Sequence, residues 1–301
     1  MRLTLAVLVA SFSCVAPGAA QQADATVPAR RGLAVIGASA SAGWGVMVPV
    51  LEPSEGNRYR HVTLADALHA VDPTLPAVVT PSGDPLFFRQ GRATRATQVD
   101  DAIEARPEAV IAVDFLFWYG YGTVRTKDAE AAARIRMARL DLGIEQIDRL
   151  AAEGIPIIVG DLPDVSHAAG AMLYSVIGDA QVPKHDTLVA LNDRIEQWAG
   201  ASDQIHLLQL SALMHDMQHG EGVPAGGVTW GPQPRLMQHD HLHPTAEGLL
   251  AVAARAADEL RAARHDAEAA KPVDKVVARL RLRAGTPAES PQEARPDVPA
   301  A

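Results

Sequence analysis

The sequence predicts an α/β fold in which helices cover both faces of a central parallel sheet. Three observations carry this. Short apolar runs of strand length recur along the chain and alternate with segments of helical periodicity. The strongest run, Ala109 to Val113, is continuously apolar, as a strand buried on both faces must be. Several runs also end abruptly in Gly or Asp, the pattern of a strand that breaks into a loop at its carboxyl end.

The chain has 301 residues, 48% of them hydrophobic, enough to bury one sizeable core. Leu33 to Ile36 reads as the first strand and runs into Gly37-Ala38-Ser39-Ala40-Ser41-Ala42-Gly43. Met47 to Tyr59, with two prolines, reads as irregular. His61 to Val71 has helical spacing through Val62, Leu64, Leu68 and Val71. Ala77 to Thr80 is the second strand, Pro81 to Thr97 a loop, and a short helix passes through Val99 and Ile103. After the strand 109–113 comes an aromatic cluster of Phe115, Phe117, Trp118, Tyr119 and Tyr121. A long helix from Asp128 to Ala152 places Leu140, Ile144, Ile147 and Leu150 on one face, and Gly154 follows it as a cap. Ile155 to Val159 is the next strand. A helix through Leu188, Leu191, Ile195 and Trp198 precedes the last strand, Ile205 to Leu210. Met214 to Gln238 reads as a polar loop, and a final helix runs from Thr245 towards Ala269.

The ends differ in composition. Arg2 precedes an apolar run from Leu3 to Val15, and small residues lead up to Gln21. That is the make-up of a secretory signal peptide, 1–20, cleaved after Ala20 and too short to span a bilayer. Residues 21–31 read as a connector, 32–270 as one catalytic-type domain, and 271–301 as a Pro-, Ala-, Glu- and Arg-rich disordered tail. The sole cysteine, Cys14, lies in the leader, and Ser11-Phe12-Ser13 ahead of it does not suit a lipid-attachment site. The cleaved chain then has no disulfide and no thiol chemistry. The expected location is secreted or periplasmic, in a bacterium. The net charge of −9, with no basic stripe, argues against a nucleic-acid partner.

Serine at the carboxyl edge of a parallel sheet is well placed for nucleophilic chemistry, because open sheets bind ligands there. It needs a base, and the base needs an orienting partner. Asp240-His241-Leu242-His243-Pro244 supplies both before the final helix. One near-helical turn puts Asp240 and His243 on the same side, so the carboxylate can hold one imidazole nitrogen while the other faces Ser39. Ser41 is the rival nucleophile. Asp114, at the end of the strongest strand, either binds a substrate hydroxyl, holds a loop or caps a backbone amide. Trp44, Trp118 and Trp230 are candidates for a pocket wall, whereas Phe115 and Phe117 read as core. His239, Asp240, His241 and His243, with His215 and His219 upstream, do not make a convincing zinc set on one short loop. No metal and no cofactor is expected.

Gly37-Ala38-Ser39-x-x-x-Gly43 near the start, with Asp240-x-x-His243-Pro244 near the end, resembles the SGNH or GDSL hydrolases over residues 32–265. The resemblance implies a three-layer α/β/α sandwich of flavodoxin-like type. It also implies ester hydrolysis through an acyl-enzyme on Ser39, with His243 as base and Asp240 orienting it. It implies an oxyanion hole built from the Ser39 amide and a glycine, Gly91 with Gly83 as the fallback. The chain departs from the family's pattern at two places. Ala38 stands where the family has Asp, and Leu116 falls where it has an oxyanion-binding Asn. Loss of one such donor costs about 10²–10³ in rate. The expected substrate is a small-molecule or polysaccharide ester, carrying a carbohydrate O-acyl group or a lipid chain. The alternatives are a catalytically weak glycan- or envelope-binding protein on the same fold and an acyltransferase with the same three residues.

Overall fold

The computed structural model describes residues 30–49, 59–84, 92–169, 177–220, 222–231 and 236–264. The leader, most of the 21–31 connector, Gly91 and the 271–301 tail lie outside the described residues.

Five parallel strands form the central sheet: β1 (Leu33–Gly37), β4 (Val78–Gly83), β5 (Ala109–Ala112), β6 (Ile157–Gly160) and β7 (Ile205–Leu208), in the order β4-β1-β5-β6-β7. Every residue of β1, β5 and β6 is buried, as their unbroken apolar sequences require. On one side α1 (Leu64–Val71) packs against α7 (Ala246–Ala263). On the other, α4 (Ala129–Ala152) packs against α2 (Arg92–Ala105) and α5 (His185–Ala199). A sheet between two helical layers is the predicted architecture.

Local chemistry sets the helix ends. Thr63 and Asp66 form a reciprocal capping box at the start of α1. Asp128 accepts from Glu130 N–H and Ala131 N–H at the start of α4. Leu140, Ile144, Ile147 and Leu150 are all buried, the face expected from their spacing.

Four segments differ from the sequence expectation. Met47–Pro49 (β2) pairs antiparallel with Tyr59–His61 (β3), where irregular chain was expected. Prolines made this segment look structureless, but Pro49 sits at a strand end, where its missing N–H is tolerated. The expected loop 81–97 instead holds the end of β4 and the first turns of α2. Polar Arg, Thr and Gln mask that helix, because its buried contacts, Val99 and Ala102, come late. β7 stops at Leu208, and Leu210 opens α6 (Leu210–His219), which buries Leu210, Leu213, Met214 and Met217 at helical spacing and ends on left-handed Gly220. A hairpin of β8 (Val223–Ala225) and β9 (Val228–Trp230) follows, so among the described residues the expected polar loop 214–238 contains the end of α6 and a two-stranded sheet. α3 (Phe117–Tyr121) is a single short turn of helix within the aromatic cluster.

The loop after β1 is shaped by glycine. Gly43 has φ +69, and a β-carbon there would lie 1.8 Å from the Val62 carbonyl oxygen. Gly43→Ala is expected to lower the unfolding free energy by about 1–3 kcal/mol, measured by urea denaturation.

Candidate active site

Among the five strands, β1 lies beside β5 on one side and β4 on the other, although β4 comes between them in sequence. The chain therefore leaves β1 and β5 in divergent directions, and a crevice opens at their carboxyl ends. Ser39 follows β1 at this point, and Asp114 follows β5.

The Asp114 carboxylate is buried and turned onto the Ser39 loop. Its Oδ1 accepts from the Ala38 N–H (3.0 Å) and the Ser41 hydroxyl (2.5 Å). Its Oδ2 accepts from the Ala40 N–H (2.8 Å) and the Ser41 N–H (3.2 Å). Of the amides from residue 38 to 41, only that of Ser39 has no acceptor among the described residues. Gly37 makes room for this arrangement, since a β-carbon there would lie 2.1 Å from Asp114 Oδ1. The backbone of Gly37 is held by the amide of Gln98, which accepts from its N–H (3.0 Å) and donates to its carbonyl (3.1 Å).

His243 reaches the crevice from the segment ahead of α7 and is 1% exposed, so its ring is shielded from water. The Ser39 hydroxyl donates to its Nε2 at 2.8 Å. Its Nδ1 donates to Asp240 Oδ2 at 2.6 Å. The other oxygen of Asp240 accepts from the Leu242 and His243 N–H groups, each at 3.0 Å, an Asx turn that brings aspartate and histidine to one side. Between them, His241 adopts a left-handed backbone, φ +56. Burial pushes the Asp240 carboxyl pKa up, but the hydrogen bonds from the His243 ring and the two amides outweigh it and hold it at about 2. Asp240 is thus an anion at any ordinary pH, and the Nδ1–H tautomer leaves Nε2 free to take a proton.

The two segments are fastened to each other. Gln238 Nε2 donates to the carbonyls of Trp44 (2.7 Å) and Pro244 (2.8 Å), bridging the serine loop to the histidine loop. The Gln238 N–H donates to the His243 carbonyl, and Thr245 caps α7 immediately after. Trp44 stacks on the His243 ring at 6.0 Å and is 39% exposed.

The remaining expected site residues fall as follows. Ser41 is tied to Asp114. Gly83 ends β4 opposite Gly37, and a β-carbon on it would lie 2.5 Å from the Ala42 nitrogen, so glycine permits this close approach. Gly91 lies outside the described residues. Trp118 is buried edge-on against Phe117, and Trp230 is buried in the β8–β9 hairpin, donating to the Ala225 carbonyl. Neither lines the cavity beside Ser39. Phe117 is buried in the core as expected and also forms part of that cavity's wall. Leu116 is fully buried towards Gly143 of α4 and presents no donor to the crevice. His215 and His219 pair on the exposed side of α6. No group of three or more His, Cys, Asp or Glu among the described residues is placed to hold a metal ion. No described helix is long and apolar enough to cross a membrane.

Sequence reasoning missed Gln238 and Gln98, for which no local pattern exists. It weighed Asp114 without identifying the loop that this carboxylate holds.

A serine, histidine and aspartate so linked is the constellation by which serine hydrolases activate a hydroxyl, whatever their fold. In overall structure the chain is similar to a gut microbial diltiazem-metabolizing enzyme (TM-score 0.45, 13% identity, 75% of this chain and 46% of that one). It is also similar to a GDSL-like lipase from Bacteroides thetaiotaomicron (TM-score 0.43, 16% identity, 77% and 89%) and to a lipase from a goat rumen metagenome (TM-score 0.39, 11% identity, 77% and 97%). The chain thus spans about half the length of the diltiazem-metabolizing enzyme. No family model matches the chain, and no curated protein matches it.

Replacing Asp114 leaves three amides and a hydroxyl without their acceptor, at about 1–3 kcal/mol for each buried group left unpaired. Asp114→Asn, which keeps the shape but offers one acceptor oxygen in place of two, is expected to speed hydrogen exchange at the Ala38, Ala40 and Ser41 amides. Exchange in α4 is expected to remain slow.

Proposed function

We propose that this chain is a serine esterase that cleaves an acyl ester through an acyl-enzyme on Ser39. The observation that carries the proposal is the unbroken hydrogen-bond chain Ser39–His243–Asp240 at the carboxyl edge of the sheet.

The Ser39 oxygen attacks the ester carbonyl carbon as its proton passes to His243 Nε2. The imidazolium so formed is stabilised by the Asp240 anion. The carbonyl oxygen becomes an oxyanion, and the Ser39 N–H, left without an acceptor while its neighbours bind Asp114, is the donor available to it. The intermediate collapses, the alcohol leaves with the proton from Nε2, and the acyl group stays on Ser39. Water, deprotonated by the same nitrogen, then releases the acid and restores the hydroxyl. Gly91 is proposed as a second oxyanion donor. The proposal includes export through the 1–20 leader, with cleavage after Ala20 read by N-terminal sequencing of protein recovered outside the cytoplasm.

A second proposal, a glycan-binding protein of weak or no catalysis, is favoured by the buried Leu116, which offers no hydrogen bond where a donor is expected. Ser39-dependent turnover of a p-nitrophenyl ester decides between the two.

A fluorophosphonate probe is expected to label the protein, with the adduct mapping by mass spectrometry to Ser39 and not to Ser41. Ser39→Ala and His243→Ala are each expected to abolish labelling, and labelling that persists in both overturns the proposal. Asp240→Asn is expected to lower kcat by about 10⁴, because the neutral amide does not hold the required tautomer. The native Asp240 carboxylate, with its pKa held at about 2 against an ordinary value of 3.8, contributes stability above about pH 4. That contribution is lost as pH falls through about 2. Acid urea titrations of the native protein and Asp240→Asn are therefore expected to converge towards pH 2.

A further inference from the structure

A cavity opens between the Ser39 loop, α6 and α7. Ser39 and His243 stand on its wall, so a carbonyl carbon attacked by Ser39 lies at its edge. Beyond them the lining is apolar: Phe117, Leu210, Met214, Met217, Met237 and Leu249, all buried. Its other polar groups are already engaged. The Ser41 hydroxyl is given to Asp114, and Asp114 accepts from four donors of the serine loop. A hydroxyl or charge inserted among these side chains gains no partner and pays its desolvation. A hydrocarbon chain loses only its contact with water.

We infer that this cavity holds the acyl side of the ester, and that the acyl group is an unsubstituted hydrocarbon chain longer than acetyl. This rests on the esterase proposal and narrows it to a substrate class. Three thioether side chains suit the task, because methionine is unbranched and polarizable and adapts to a chain of varying conformation. Their scaffold is braced at the sheet edge. Asp161, following β6, accepts from the N–H (2.6 Å) and hydroxyl of Ser211 and so fixes the first turn of α6, which carries Met214 and Met217. From the other side, a β-carbon on Gly248 would lie 2.8 Å from Met217 Cε, which shows how closely that side chain approaches α7.

The test is the chain-length profile of p-nitrophenyl acetate, butyrate, hexanoate and octanoate. For the native protein, kcat/KM is expected to rise about fourfold per methylene until the cavity is full. Met214→Trp, which fills the cavity, is expected to cut the hexanoate-to-acetate ratio of kcat/KM by about tenfold or more. Met217→Ala, which enlarges it, is expected to move the optimum to a longer chain. Should Met214→Trp fail to fold, phosphonylation of the native protein by p-nitrophenyl alkylphosphonates answers the same question, with methyl expected to react more slowly than butyl or hexyl. A profile that is flat or falls from acetate while Ser39 is still labelled overturns the acyl cavity and leaves the esterase standing. A native profile that the Met214 and Met217 substitutions leave unchanged does the same. Absence of any Ser39 labelling overturns both.

Discussion

One buried carboxylate organises the centre of this molecule. Asp114 stands where β5 ends and spends both oxygens on the loop that leaves β1, gathering three amides and a hydroxyl within four residues. A loop of small residues has little side-chain surface of its own with which to pack. The carboxylate substitutes electrostatics for packing, and burial makes that exchange effective, because hydrogen bonds to an anion strengthen in a low dielectric. It also sorts the amides, since those of Ala38, Ala40 and Ser41 are occupied and that of Ser39 is left over. Glycine at position 37 is the steric condition for all of it.

The second constraint joins the ends of the domain. The serine loop and the histidine loop are distant in sequence and are knitted by the Gln238 side chain and by the stacking of Trp44 on His243, while backbone hydrogen bonds within residues 236–245 hold the histidine loop itself. The Asx turn at Asp240 then does locally what Gln238 does at long range. It fixes a side chain by spending backbone donors that would otherwise need water. The result is a nearly dry imidazole whose two nitrogens each have one defined partner.

Much of this was legible in the sequence, and the residues show why. β1, β5 and β6 announce themselves through unbroken apolar runs, and Asp240-x-x-His243 through a spacing that a single turn can close. Boundaries were less legible where polar residues cover a helix, as in the first turns of α2, or where methionine and histidine dilute an apolar face, as in α6. Trp118 and Trp230 looked like pocket walls because large rings are common there, but their neighbours bury them. Phe117, assigned to the core, is buried there and also borders the cavity. Gln238 and Gln98 could not be found by pattern, because a side-chain amide that bridges two backbone segments has meaning only once those segments meet.

The hydroxyl and the imidazole that partners it are separated by 204 positions. A nascent chain therefore emerges with the Ser39 hydroxyl still lacking its imidazole partner. The serine loop can be made, and even clamped by Asp114, while no group within reach can accept its proton. The pairing forms only when the segment ahead of α7 has been synthesised and has docked, so under the esterase proposal the onset of chemistry falls at the end of folding and the half-made chain is guarded against acylation.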